Sequence, residues 1–214
     1  MNLKFREPVS ALTHLSTAAA ALIGTILLLI FGQGDLVIKL SLLIYGISLV
    51  LMFASSGVYH GVVAETRVIQ RLRKMDHSAI YLLIAGSYTP ICLYFFQGFW
   101  QWGMLAIIWG FGIIGIVVKL FVINAPRWIT AGVYLVMGWL SIMAVQEIIR
   151  TMPPAAIFWL ITGGLFYSIG AIIYITKKMD LIPGVFGFHE VWHIFVILGA
   201  LSHFILIAVF VAAA

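Results

Sequence analysis

Long runs of apolar residues, interrupted at fairly regular intervals by short polar stretches, are the dominant pattern along this chain. Seven of these runs have about the 20 residues that an α-helix needs to cross the hydrocarbon core of a bilayer. They cover residues 11–31, 37–60, 77–96, 101–123, 128–149, 154–176 and 188–211. Because lipid offers no hydrogen-bond partners to the backbone, each run is predicted to be a helix. The pattern predicts an all-α membrane protein, with residues 1–214 forming one polytopic domain and a seven-transmembrane helix bundle.

Composition agrees with a membrane protein and excludes other classes. The chain is 64% hydrophobic and only 9% charged, whereas a soluble domain carries about 25% charged residues. Its net charge of +5 could suggest nucleic-acid binding, but no basic face with interleaved aromatic residues accompanies it, so no nucleic-acid partner is predicted. The single Cys92 has no partner for an internal disulfide and is predicted to be a small buried residue.

Lysine and arginine are distributed unequally between the two ends of the predicted spans. One side carries Lys4, Arg6, Arg67, Arg71, Arg73, Lys74, Arg127, Lys177 and Lys178, with Lys119 close to it. The other side carries only Lys39 and Arg150. Basic residues stay on the cytoplasmic side of a membrane, so the N-terminus is predicted to be cytoplasmic and the C-terminus outside. The basic run 67–74 is predicted to be a loop that also contacts anionic lipid headgroups.

Histidines gather at one predicted depth. Five of the six fall at the cytoplasmic ends of spans, and these are His14, His60, His77, His189 and His193. Asp76 precedes His77, and because the two point about 100° apart on a helix, they are not expected to face a metal together, and Asp76 is the better candidate to point inward. The sixth, His203, lies deeper and is predicted to be a packed, hydrogen-bonded core residue.

Spacing within the helices supports a metal site. His189 and His193 stand at i and i+4, so both rings project from one helix face, and Ser56 and His60 have the same spacing. Glu7, Ser10 and His14 also form one stripe. Polar groups inside a membrane protein usually face the bundle interior, and a catalytic zinc takes three protein ligands, commonly histidines, with a fourth position left open. Two histidines one turn apart, with a third histidine and an aspartate at the same depth, therefore favour zinc.

Two smaller patterns have simpler interpretations. Residues 189–193 read H-E-V-W-H, which in soluble proteins marks a zinc peptidase with the glutamate as base. Glu190, however, would lie about 100° around the helix from His189, and a glutamate near a helix N-terminus is favoured by the helix dipole. Gly110, Gly112 and Gly115 are predicted to allow close helix packing.

Four blocks of residues together resemble the hemolysin III family, the bacterial branch of the progestin and adiponectin receptor superfamily, which is more distantly similar to the alkaline ceramidases. The blocks are residues 7–14 (EPVSALTH), 56–60 (SGVYH), 76–90 (DHSAIYLLIAGSYTP) and 189–193 (HEVWH). Ser10 departs from the pattern, since many members have asparagine there. The resemblance implies a protein of the bacterial inner (cytoplasmic) membrane with zinc near its cytoplasmic face.

The same resemblance implies a role for individual residues. His60, His189 and His193 would be the zinc ligands, Asp76 would hold the zinc-bound water, and Ser56 would lie beside them. Glu7 and His14 are expected to brace the site or close its mouth. The function expected from this set is metal-dependent hydrolysis of an amide or ester bond in a membrane lipid, with the lipid as the partner.

Three alternatives stay open at this point. Zinc could be purely structural in a lipid-sensing, signalling or membrane-homeostasis protein. The family name suggests a pore-forming cytolysin, although charges in the middle of the spans are nearly absent. An intramembrane protease would use Glu190 as its base, and loss of function on Glu190→Ala but not on Asp76→Ala would distinguish it.

Overall fold

The computed structural model describes residues 5–122 and 124–213, most of which are helical. The α-helices are α1 (Pro8–Phe31), α2 (Leu36–Gly61), α3 (Thr66–Phe95), α4 (Gly98–Phe121), α5 (Arg127–Gly138), α6 (Val145–Thr151), α7 (Pro154–Thr176) and α8 (Phe188–Ile207). Within these residues, seven helical segments are long and apolar enough to cross a membrane, with α5 and α6 together forming the fifth. The predicted all-α, seven-span fold is confirmed. Lys4 and the predicted end of the fourth span at residue 123 lie outside the described residues.

Helix α3 begins earlier than the sequence predicted. The basic run 67–74 was expected to be a loop, but α3 starts at Thr66 and includes it, so that prediction is wrong. The residues concerned are mainly arginine, lysine, glutamine and leucine, which favour helix, and no glycine or proline interrupts them. Hydropathy marks only the apolar part of a helix, so the polar first turns carried no signal.

The fifth span is broken, although a continuous helix over 128–149 was predicted. Trp139–Ala144 form a tighter 3₁₀ segment between α5 and α6. The Tyr88 hydroxyl donates to the Gly138 carbonyl at 2.6 Å and accepts from the Ser141 amide at 2.9 Å. Backbone groups inside a membrane must find partners within the protein, and Tyr88 of α3 supplies them where the α-helical ladder is interrupted.

Residues from six of the spans line a cavity. Helix α1 packs against α2 and α8, α2 against α3, and α7 against α8 and α5, while α5 returns to α3. Helix α4 packs mainly on α3. This cavity has a volume of about 400 Å³ and a mostly apolar lining. This arrangement brings the ends of α1, α2, α3 and α8 around one end of the cavity.

Close packing of α3 and α4 depends on small residues. A Cβ atom on Gly115 would lie 2.3 Å from the Tyr81 ring, and one on Gly112 would make ordinary contacts at 3.4 Å and beyond. Gly110 has nothing within 4 Å of a Cβ position, so the prediction that it lies in a tight contact is wrong. Gly110 is about 140° from Gly115 around the helix, which explains the difference.

Candidate metal centre

Three imidazoles meet where α2 ends and α8 begins. His60 is in the last turn of α2, and His189 and His193 occupy the first two turns of α8. One ring nitrogen from each lies within 4.8 Å of the others, and the Nε2 atoms of His60 and His189 are 3.4 Å apart. Two nitrogens bound tetrahedrally to one zinc at about 2.0–2.1 Å would be separated by about 3.3–3.4 Å. The spacing therefore suits a shared metal ion. We call this end of the bundle the histidine end.

His193 provides a separate test of whether these residues suit a metal. Its side chain has 0% exposure, and neither ring nitrogen has a hydrogen-bond partner among the described residues. A buried polar atom without a partner is unfavourable by about 1–3 kcal/mol. The His14 ring stacks on His193 with centroids 3.7 Å apart and an interplanar angle of 9°, which fixes the orientation of His193. A metal ion would bind the unpaired nitrogen that faces the cluster.

Glu7 orients His60. The Glu7 carboxylate forms a short hydrogen bond with Nδ1 of His60, which leaves Nε2 to face His189. Arg6 Nε donates to the other Glu7 oxygen at 3.2 Å. The hydrogen bond from His60 lowers the pKa of Glu7, against the opposing effect of partial burial, so the carboxylate stays ionised at lower pH than a free glutamate. A carboxylate on the far nitrogen of a histidine is the usual support for a metal ligand.

Ser56 lies one helical turn before His60 and is held by α1. The Nδ1 atom of His14 and the Ser56 hydroxyl are 2.8 Å apart, and both side chains are buried. Glu7 and His14, which were expected to brace the site, therefore contact His60 and Ser56 respectively.

Glu190 has a structural contact that the sequence did not reveal. One of its carboxylate oxygens accepts from the Ser10 hydroxyl at 2.7 Å, and the other accepts from the Gly187 amide at 2.9 Å. The second bond caps α8, and the first ties the start of α8 to α1. With both oxygens engaged, Glu190 is poorly placed to act as a peptidase base.

Asp76 lies beside the three-histidine cluster and does not belong to it. With Ser56, His14 and His77 it lines the histidine end of the cavity. Within residues 5–122 and 124–213 the group close enough to share a metal consists of His60, His189 and His193. Asp76 and His77 both line the cavity, and neither is part of the three-histidine group.

His203 and Lys119 are two further ionisable residues inside the bundle, and neither belongs to the three-histidine cluster. His203 Nε2 lies 3.3 Å from the Leu160 carbonyl, as expected for a hydrogen-bonded core histidine, and it also lines the cavity. Lys119 was counted only as a topological charge, yet it is buried and its Nζ donates to Thr130 Oγ1 at 3.0 Å. A signal existed: Lys119 follows Gly112 and Gly115 at i+7 and i+4, on the face that packs against α3.

Comparison with known proteins supports one family over nearly the whole chain. A family model described as "Haemolysin-III related" matches residues 3–204. The chain is 35% identical to the "Hemolysin-3 homolog" of Bacillus subtilis (strain 168), over 92% of this chain and 91% of the relative. It is 34% identical to "Hemolysin-3" of Bacillus cereus, over 96% and 91%. A shorter match, 32% identical over 61% of this chain and 33% of the relative, is to the "Adiponectin receptor protein" of Drosophila melanogaster. With its seven spans, this chain is a multi-pass membrane protein and belongs to the haemolysin-III related family.

Proposed function

We propose that this protein is a zinc-dependent hydrolase that cleaves amide or ester bonds in membrane lipids. The observation that carries the proposal is the position of the three histidines, whose ligand nitrogens converge beside an apolar cavity. Asp76 and Ser56 line the end of the cavity nearest to them. A polar reaction site joined to an apolar chamber suits a substrate with a polar bond to be cleaved and an acyl chain.

His60, His189 and His193 would hold the zinc ion. Bound zinc would polarise the carbonyl of the substrate and lower the pKa of a coordinated water to about 7. The remaining chemistry belongs to side chains of this chain, and Asp76 is the acid–base group. From its place in the cavity wall, its carboxylate would accept the proton of the attacking water and return it to the leaving group.

Ser56 would stabilise the oxyanion that develops on the substrate carbonyl. When the proton of His14 is on Nδ1, the Ser56 hydroxyl accepts that hydrogen bond and keeps its own proton for donation. A donor already held in position before the reaction stabilises developing charge most effectively. His14 is in this sense a positioning residue for Ser56.

The principal test combines metal analysis with turnover. We expect the purified protein to contain about one zinc ion per chain and to hydrolyse at least one member of a panel of lipid amides and esters. The variant His189→Ala/His193→Ala should lose the metal. Asp76→Asn should keep the metal and lose activity by about 10²–10⁴-fold. Glu190→Gln is the matched control because it retains the metal ligands and the catalytic aspartate, and its activity separates this mechanism from an intramembrane protease.

A structural zinc is the second candidate, because a metal at this position would join α2 to α8 directly. Removal of zinc with a chelator distinguishes the two. A catalytic zinc should leave a folded, inactive protein, whereas a structural one should lower the unfolding temperature sharply. Negligible zinc in both the wild type and the double-histidine variant would contradict both candidates.

The names of the two Bacillus relatives raise cytolysis as a further activity. Among the described residues that line the cavity, Asp76 is the one carboxylate and none is lysine or arginine, and the end away from the histidines is lined by residues such as Ile148 and Ile157. This lining suits an apolar chamber for a lipid chain better than an ion pathway. Release of a fluorescent dye from liposomes on addition of the protein would favour cytolysis over hydrolysis.

A further inference from the structure

A buried lysine lies near the histidine end but takes no part in the proposed reaction. Lys119 is in the last turn of α4 and has 3% exposure. Lysine is very rarely buried to this degree unless an anion accompanies it. Its ammonium group has three donors, and the acceptor that the structure assigns to it is the Thr130 hydroxyl. None of the ion pairs within residues 5–122 and 124–213 includes Lys119.

Two further polar atoms near Lys119 are also buried and unpaired. Helices α3 and α4 run antiparallel with Gly115 against Tyr81, and this register places Lys119, one turn further on, beside His77 and Ser78. The His77 Nδ1 and Ser78 Oγ atoms have no hydrogen-bond partner among the described residues. Helices α3 and α4 thus place several buried polar atoms that lack hydrogen-bond partners in one region.

Helix α5 closes the same region from the side of the cavity. Thr130, in its first turn, accepts from Lys119 and lines the cavity. Tyr134, one turn later, also lines the cavity and donates to the His77 carbonyl at 2.9 Å. Because Thr130 and His77 both border the cavity, the Lys119 ammonium is one hydrogen bond away from it.

The charges around this region favour an anion. Arg73 lies one turn before His77 on α3 and is close enough to interact electrostatically with both His77 and Lys119. Lys74 donates to the Leu120 carbonyl at the end of α4. The acidic residue nearby is Asp76, which faces the cavity and is not paired with Lys119. A ligand with several acceptor oxygens and a negative charge would satisfy the ammonium, hydroxyl and imidazole donors together.

We propose that Lys119, Thr130, His77 and Ser78 form a phosphate-binding site at the edge of the cavity, and that its occupant is the phosphate of an anionic phospholipid headgroup, whose charge is not neutralised by a cation in the same headgroup. This site is separate from the histidine cluster and requires no hydrolysis. If the bound phospholipid is also the substrate, its headgroup lies next to Asp76 and its acyl chains lie in the cavity. The identification of this lipid as the substrate rests on the proposed function.

The test measures binding through thermal stability in detergent micelles. Phosphatidylglycerol in the micelles should raise the unfolding temperature of the wild type by about 3–6 °C more than phosphatidylcholine does, the scale for one site well occupied by its ligand. Lys119→Met should abolish this difference, because it removes the ammonium at nearly constant volume. Lys39→Met, which removes an exposed lysine from α2, should leave the difference unchanged. Equal stabilisation of the Lys119→Met variant and the wild type would overturn the proposal.

Two further measurements identify the source of the phosphate and protect against an unfolded variant. Inorganic phosphate at millimolar concentration should stabilise the wild type only if the site also accepts the free anion. If phosphate stabilises the protein in a way that depends on Lys119, and phosphatidylglycerol has no effect, the assignment of a lipid to this site is overturned. In the wild type alone, the preference for phosphatidylglycerol should persist in 0.5 M NaCl (about 4 Å screening length), since salt screens surface charges far more than buried ones. Loss of the preference at high salt would assign it to the exposed basic run 67–74 and overturn the buried site. Each of these measurements reports binding, and none reports turnover. A negative lipid hydrolase assay would therefore not change the outcome of this test.

Discussion

The two nitrogens of the His60 ring have different neighbours, and this difference decides what the ring can do. Nδ1 is hydrogen-bonded to the Glu7 carboxylate, while Nε2 faces Nε2 of His189 at 3.4 Å. The carboxylate keeps the proton on Nδ1, so the lone pair of Nε2 points into the cluster. At this scale, a residue that precedes the first helix selects the tautomer of a residue at the end of the second.

Removal of the Glu7 charge should therefore weaken metal binding and spare the fold. We expect Glu7→Gln to lower zinc affinity by about 10–100-fold, because a neutral amide is a weaker acceptor for the Nδ1 proton of His60 and can also donate to that nitrogen. Competition with a chromophoric chelator measures the change. Glu65→Gln is the control, since Glu65 is exposed at the start of α3 and makes no side-chain cap. Unchanged affinity in Glu7→Gln would contradict the assigned role.

At the scale of elements, the position of α4 depends on how closely it approaches α3. The Tyr81 ring lies over Gly115 and is itself held by an edge-on contact with Tyr134, with ring centroids 4.7 Å apart. The ring has little freedom to move aside for a larger neighbour. The same interface sets the depth at which Lys119 is buried.

A methyl group at Gly115 should separate the two helices. We expect Gly115→Ala to destabilise the protein by about 1–3 kcal/mol, because the new Cβ overlaps Tyr81 and the packing must shift. Thermal unfolding in detergent measures the loss. Gly110→Ala is the matched control on the same helix, where nothing lies within 4 Å of the added atom. Equal stability of the two variants would show that α3 and α4 do not pack at Gly115.

At the scale of the whole molecule, the ends of four helices meet at the histidine end, and the basic residues meet there too. The Glu7 amide donates to the His60 carbonyl at 3.0 Å, so the start of α1 and the end of α2 lie at one level. The basic run 67–74 follows directly at the start of α3. Positively charged segments remain in the cytoplasm during insertion, and the three-histidine cluster is therefore predicted to face that side.

Labelling from outside the cell tests this orientation. In a Cys92→Ala background we expect Gln70→Cys to react with a membrane-impermeant maleimide only after the cells are permeabilised. Gln33→Cys, which is exposed in the loop between α1 and α2 at the opposite end, should react in intact cells. Labelling of residue 70 in intact cells would reverse the predicted topology.

The sequence predicted those features that depend on apolar length and on helical spacing. Seven spans followed from hydropathy, and an even number of spans between His60 and His189, here four, was needed to place these two residues at one end. The 3₁₀ segment Trp139–Ala144 could not be predicted, because it is as apolar as an α-helix and its partner Tyr88 is distant in sequence. The burial of Lys119 depends on the register between α3 and α4, which no local pattern specifies.

The connection between α1 and α8 has a consequence during synthesis of the chain. The Ser10–Glu190 bond joins residues 180 positions apart, and His60 and His189 are separated by 129. At roughly 5–20 residues per second, a ribosome needs on the order of ten seconds to reach His189 after His60. Throughout that interval Glu7 and His60 can already be together, while two of the three proposed ligands do not yet exist. A chain released before its last helix is inserted would lack the three-histidine cluster, so under the zinc proposal metal binding would mark completed synthesis and insertion.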